Sequence, residues 1–336
     1  MRSSSRPGER RILVTGAGGF IGHHLIASLI AEGHWVRGAD TSMPRFGATD
    51  ADEFLEADLR RAEDAARAMD GIDEVYALAA TVGGVGFLGE NQSSIFRTNA
   101  LIDINTVDAA ASAGVKRLMF ASSAFVYPEH LQTAADSAAL KESDAYPAAP
   151  DSAYGWEKLL GERLCSYYAA DSPMATRVVR FHNIYGPLAP WTGGQARVPA
   201  AICRKVAIAK RTGARHIEIW GDGQQTRSFC FVSDAVEGLC RVMDSDVAEP
   251  LNVGSAEMTS IDDLAKLVMD IAGVELRLEH VDGPQGVRGR RSDNTRIRSL
   301  LNWEPSVSLA DGMAQTYRWI EGQVAASPEP DRFGHK

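Results

Sequence analysis

A short β-branched run at residues 11–14 enters the turn Gly16-Ala17-Gly18-Gly19-Phe20-Ile21-Gly22, and residues 21–32 then read as a helix with Leu25, Leu29 and Ile30 on its apolar side. A strand that passes through glycines straight into a helix brings backbone N–H groups and the positive helix end up to an anion, provided no side chains intervene. Gly16, Gly19 and Gly22 remove them. The spacing G-x-x-G-x-x-G is a variant of the dinucleotide fingerprint and would say little alone. Asp40, 24 residues after Gly16, ends a second strand over residues 35–39. A carboxylate there accepts hydrogen bonds from the adenosine ribose hydroxyls and repels a 2'-phosphate, which favours NAD over NADP. The competing reading is an ordinary tight turn with Asp40 as a helix cap; strand, turn, helix and acid all in register favour the dinucleotide.

Further strand signals at 74–78, 117–121 and 175–180 alternate with helix formers at 103–113 and 157–169. This is the alternation of an α/β, Rossmann-like, doubly wound parallel sheet. After Gly186-Pro187 the pattern changes to Gly, Pro and Trp loops, a basic helix over 198–210 and a Trp220-Gly221-Asp222-Gly223 turn. The chain revisits the sheet near 250–254, then forms helices over 261–272 and 309–324. The predicted organisation is a cofactor-binding domain at 10–187, with a return around 226–256, and a smaller C-terminal α/β substrate-binding region at 188–325. The ends, 1–9 and 326–336, are expected to be loose. A chain of 336 residues with 45% hydrophobic content can build such a cleft.

A net charge of −9 argues against a general nucleic-acid binder, so local arginines must handle any anionic ligand. Cys165, Cys203, Cys230 and Cys240 lack C-x-x-C spacing and nearby histidine clusters. Neither a metal site nor a disulfide framework is expected, and reduced thiols point to the cytoplasm. The polar first ten residues lead into no apolar stretch long enough for a signal or a membrane span.

In Tyr154-Gly155-Trp156-Glu157-Lys158, tyrosine and lysine share a helix face four residues apart. The ammonium there favours the ionised phenol and makes Tyr154 a base near neutral pH. By itself the pattern also fits a half-buried tyrosine anchor and a solvated lysine. With the glycine turn, Leu78-Ala79-Ala80 and Ser122-Ser123, the chain resembles the extended short-chain dehydrogenase/reductase superfamily of nucleotide-sugar epimerases and dehydratases. Within it, the blocks Gly83-Gly84-Val85-Gly86-Phe87, Leu140-Lys141-Glu142-Ser143-Asp144-Ala145, Arg180-Phe181-His182-Asn183-Ile184-Tyr185-Gly186-Pro187, Thr226-Arg227-Ser228-Phe229 and Gly286-Val287-Arg288-Gly289-Arg290 resemble the GDP-mannose 3,5-epimerases.

The resemblance implies roles. Tyr154 takes the proton of the sugar 4-hydroxyl, Lys158 holds Tyr154 and the nicotinamide ribose, and Ser123 steadies the ketone oxygen. Phe20, Ile21, Ala79 and Ala80 border NAD; Asp58 and Leu59 border its adenine, although Asp58 is also readable as an exposed loop acid. Asn183, Lys205, Arg227, Arg288 and Arg290 approach the nucleotide diphosphate, with surface ion pairing as the alternative for Arg288 and Arg290. Gly84, Phe125 and Arg197 complete the substrate pocket, and the helices at 103–113 and 157–169 pair in a homodimer. His182, without a partner nearby in sequence, is read as a packed or hydrogen-bonded histidine.

One departure bears on the reaction. In the resembled branch, carbons 3 and 5 are inverted by a cysteine at the Phe125 position of Ala121-Ser122-Ser123-Ala124-Phe125-Val126-Tyr127 and by a lysine at the Arg197 position. A phenyl ring moves no proton, and arginine is too basic to shuttle one. Related dehydratases and decarboxylases carry an acid at or beside Phe125. What remains is hydride chemistry at carbon 4, which predicts a redox-neutral 4-epimerase with tightly held NAD. The alternatives are inversion at carbon 5, or at 3 and 5, with Cys203, Glu129 or Lys205 as substitute; release or decarboxylation of the 4-keto sugar; and an NAD-binding module without chemistry. Intact Ser123, Tyr154 and Lys158 argue against the last.

Overall fold

The computed structural model describes residues 9–327, so the two ends read above as loose lie outside the described residues apart from Glu9, Ala326 and Ser327. Seven parallel strands form the central sheet: β1 Arg11–Thr15, β2 Trp35–Asp40, β3 Glu53–Glu56, β4 Glu74–Ala77, β5 Arg117–Ser123, β6 Ala175–Phe181 and a late strand, Leu251–Val253. Across the sheet they run late strand, β6, β5, β4, β1, β2, β3. Because β1 lies between β2 and β4, successive crossovers leave it in opposite directions, which opens a crevice above its carboxyl end.

The strands form where apolar residues can be covered on both faces. On β1, Ile12 and Val14 pack with Leu25, Ile26 and Leu29 of helix α1, Phe20–Ala31. Leu13 points the other way, toward Ala65, Ala68 and Met69 of α2, Ala62–Met69. On that second face α3, Val85–Glu90, leads into α4, Gln92–Ser112, which packs along α5, Ala153–Asp171. The predicted late return to the sheet is observed, with Leu251 to Val253 paired to Val179 to Phe181. The helix over 261–272 is found as Ile261–Ala272.

Sequence reading passed over β3, whose Glu53 and Glu56 are exposed on a sheet edge where charge discourages further pairing. It also started α4 at 103, because the polar residues that open the helix hide its periodicity. Beyond β6 the chain builds α6, Val198–Thr212, and a three-stranded sheet in which Gly289–Arg290 pairs parallel to Thr226–Ser228. That register sets Arg290 directly beside Arg227.

Candidate active site

At the crevice, Gly16 takes φ +69 and sits against the chain after β4, where an added Cβ would lie 2.9 Å from the Ala79 nitrogen. A Cβ on Gly18 would come within 2.3 Å of the Ser42 carbonyl, and one on Gly22 within 2.3 Å of the Gly16 carbonyl. The Thr15 hydroxyl accepts the amides of Leu78 (3.0 Å) and Ala79 (3.1 Å), which ties the two strand ends together. No side chain caps the N-terminus of α1, where Gly19, Phe20 and Ile21 begin the helix. The Asp40 carboxylate accepts the Gly18 amide at 2.9 Å and the Thr41 amide at 2.7 Å. A side-chain-free cradle, an open helix end and a carboxylate closing β2 fit a dinucleotide. Ala79, just past the end of β4, flanks this cradle beside Gly16. Asp58 is a loop acid paired with Arg60 at 2.6 Å, which holds its carboxyl below the usual range. Leu59 packs into the core, and its carbonyl is taken by Asn105.

Tyr154 and Lys158 lie one turn apart at the start of α5, where the Ser152 side chain accepts the Gly155 amide. The Lys158 ammonium is 5.8 Å from the Tyr154 ring centroid and 4.9 Å from that of Phe120. Ser123 ends β5 beside them and accepts the Phe125 amide at 3.3 Å. Burial pushes the Tyr154 phenol up, while Lys158, Arg197 and the Ser123 hydroxyl pull it down. Burial wins, contrary to the expectation of a phenol already lowered by Lys158, because a fully enclosed phenolate loses its water.

Next to this group opens a cavity of about 920 Å³ lined by Gly84, Phe125, Asn183, Arg197, Lys205, Arg227 and Arg290, all anticipated, and by Asp151 and the half-exposed Trp220. Phe125 meets Tyr154 edge-on, with centroids 5.5 Å apart, and the Arg290 guanidinium lies 4.4 Å over its ring. Arg290 donates from Nε to Gln132 and approaches Asp151 at 3.8 Å, but one of its terminal nitrogens has no hydrogen-bond acceptor among the described residues. Arg227 donates to the carbonyls of Thr226 (2.7 Å), Val287 (2.7 Å) and Gln285 (3.2 Å). Burial and the neighbouring Arg290 hold Arg227 down to about 9, and burial, opposed by Asp151, holds Arg290 down to about 10. Two adjacent guanidiniums on a cavity wall could hold an anion. Asn183, at φ +48, donates to the Ser228 carbonyl, and the Lys205 ammonium donates to that of Glu218 at 2.6 Å.

Three expectations are corrected. Arg288 turns away from the cavity to pair with Asp222 at 2.7 Å on the surface, the ion-pair reading. Cys203 is enclosed in the hydrophobic core, where burial pushes its thiol far up. Glu129 is exposed on the short turn Glu129–Leu131, off the cavity wall, which leaves Lys205 as the one proposed substitute that faces the cavity. His182 is packed as expected, bonded to Asn252 at 3.0 Å and pushed down to about 3 by burial. Sequence reading missed Asp151, which belongs to no motif, and Gly18, whose amide binds Asp40.

Residues 12–254 match the NAD dependent epimerase/dehydratase family. The chain belongs to that family. The rice protein GDP-mannose 3,5-epimerase 1 is 46% identical to this epimerase over 321 residues, 95% of this chain and 84% of its own. The UDP-glucose 4-epimerase of Thermotoga maritima, crystallised with UDP-glucose, superposes with a TM-score of 0.84 at 26% identity and covers 94% of this chain and 99% of its own. A Bacillus cereus UDP-glucuronic acid 4-epimerase, in complex with UDP-glucuronic acid and NAD, gives 0.79 at 26% identity over 93% and 99%. NAD is the cofactor of this epimerase. Among the described residues, no helix is long and apolar enough to cross a membrane, and no three potential metal ligands cluster.

Proposed function

We propose that this epimerase inverts carbon 4 of a nucleotide-diphosphate sugar, with guanine as the base that its rice relative suggests. The observation that carries the reading is Phe125, wedged between Tyr154 and Arg290 where the resembled branch has a cysteine. A phenyl ring at this position has no group to remove a proton from carbon.

The backbone around Gly16, Gly19 and Gly22 would hold the pyrophosphate of NAD, Asp40 its adenosine ribose and Lys158 its nicotinamide ribose. Bound NAD supplies the acceptor and donor of the carbon 4 hydride. Tyr154 receives the 4-hydroxyl proton and later returns it, while the Ser123 hydroxyl donates to the same oxygen. Arg227 and Arg290 hold the diphosphate, and the Phe125 ring gives the keto sugar an apolar face on which to turn.

A second reading keeps inversion at carbon 5, or at 3 and 5. It is favoured by Lys205, on the cavity wall with its ammonium pushed down by burial, as a base would be. Turnover of GDP-mannose and a panel of other nucleotide sugars in D2O separates the two. A new isomer without deuterium in the sugar supports carbon 4, whereas deuterium at carbon 3 or 5 overturns it in favour of Lys205.

Phe96 and Ile104 on α4, and Trp156, Leu160 and Tyr167 on the adjoining α5, are exposed. They support a homodimer built on these two helices. Sedimentation at micromolar concentration as a monomer would rule it out.

A further inference from the structure

Beneath Tyr154 the ammonium of Lys158 meets two carboxyl groups. Glu157 Oε1 lies 3.1 Å from Nζ and Asp103 Oδ2 lies 3.8 Å away, and all three side chains are 4% exposed or less. Asn99 fixes Glu157 by donating to Oε2 at 3.1 Å, and is itself locked by two hydrogen bonds to the Thr81 backbone. Apart from the ammonium, neither Glu157 Oε1 nor Asp103 Oδ2 has a donor among the described residues, although the two side chains are within hydrogen-bonding reach of each other. Two ionised carboxylates against one ammonium would leave an uncompensated buried charge, which interiors do not tolerate. A proton between the two oxygens balances the charge and supplies the missing donor.

We propose that Asp103 is a positioning residue of the epimerisation: protonated in the resting enzyme, it shares its proton with Glu157, so that the pair carries one negative charge and holds the Lys158 ammonium in place below Tyr154. The proposal rests on the reading that Tyr154 and Lys158 carry the chemistry. The other groups facing this cluster cannot take over the task. Tyr154 and Cys165 on α5 are acids of the phenol and thiol type, β5 contributes the neutral ring of Phe120 and the hydroxyl of Ser123, and Arg197 acts on Tyr154 from the cavity side. Burial pushes the Asp103 carboxyl well up, Lys158 pulls it back and Glu157 pushes it further. When Asp103 does ionise, a second negative charge arrives beside Lys158 and opposes the phenolate on Tyr154. Turnover therefore falls on the alkaline side as Asp103 gives up its proton.

The test compares the NAD-loaded wild type with Asp103→Asn and Asp103→Ala. Asparagine keeps the shape and can donate to Glu157 without ever ionising; alanine removes the donor. Infrared spectra at neutral pH should show in the wild type the carbonyl stretch of a protonated carboxyl, shifted in D2O and absent from Asp103→Asn. Asp103→Asn should also flatten the alkaline limb of the kcat profile, and Asp103→Ala should lower kcat about tenfold at nearly unchanged KM, as for loss of one hydrogen bond to a charged group. A wild type without the band, or an alkaline limb unchanged in Asp103→Asn, overturns the proposal. The band reports on the proton without turnover, so retained activity in Tyr154→Phe would sink the assignment of the base separately.

Discussion

On the β1–α1 side of Tyr154 an anion would meet backbone: glycines that tolerate no Cβ, an uncapped helix end and one carboxylate held by the Gly18 amide. On the cavity side it would meet side chains, with half-buried Arg227 next to buried Arg290 and both held below their usual pKa. The first wall works by leaving atoms out and is encoded in seven consecutive residues, Gly16 to Gly22, closed by Asp40 at the end of the next strand. The second works by accumulating charge that the protein alone does not fully balance, and it exists only because strand register sets position 290 against position 227. A cofactor held through backbone dipoles would respond to salt less than a substrate drawn by two adjacent guanidiniums, which would gain from relieving their repulsion.

Tyr154 stands between the two walls, and its loss should have the largest effect. Tyr154→Phe should lower kcat by about 10³-fold, within the range for a general acid–base group, while the purified protein keeps its NAD. Lost NAD would place the phenol in cofactor binding instead. Next, Gly22→Val should remove NAD from the purified protein, since the new Cβ meets the Gly16 carbonyl at 2.3 Å. The overpacking itself costs about 1–3 kcal/mol, read as a lowered Tm of the apo protein. NAD retained at full occupancy would mean that the cradle does not need its bare backbone.

Arg227→Ala should raise KM for the nucleotide sugar by about 10- to 100-fold, the scale of a lost charged hydrogen bond, and make KM less sensitive to salt, with NAD content unchanged. An equal effect on cofactor and substrate would break the contrast between the walls. The smallest effect is asked of Phe125→Cys with Arg197→Lys. The pair should introduce slow deuterium exchange at carbon 5 without abolishing inversion at carbon 4. No exchange would mean that the pose of the sugar, and not only the chemistry of the wall, sets the reaction.

The cofactor wall was legible because its signals are local. The run 11–14, the glycines and Asp40 follow one another in the order in which they act, and β1, α1 and β2 form where the pattern places them. The cavity wall was legible only through resemblance. The residues themselves do not separate Arg290, which lines the cavity, from Arg288, which turns outward to Asp222. Residues two apart face the same way while a strand stays regular, but Arg288 lies before Gly289–Arg290 begins and is free to turn away. Cys203 looked close to Arg197 for a similar reason. Helical turn placed its thiol in the core and the Lys205 ammonium on the cavity wall.

By itself, then, the sequence determined the doubly wound sheet, the dinucleotide cradle and the Tyr154–Lys158 pair. Periodicity, bare glycines and i,i+4 spacing act over a few residues and survive any arrangement of the rest. Tertiary structure alone decided which charges lose their water: Arg227 beside Arg290, the Tyr154 phenol pushed up by burial, and Asp103 brought from α4 to within 3.8 Å of Lys158 on α5. Desolvation and Coulomb energy depend on distance through space and not on separation along the chain.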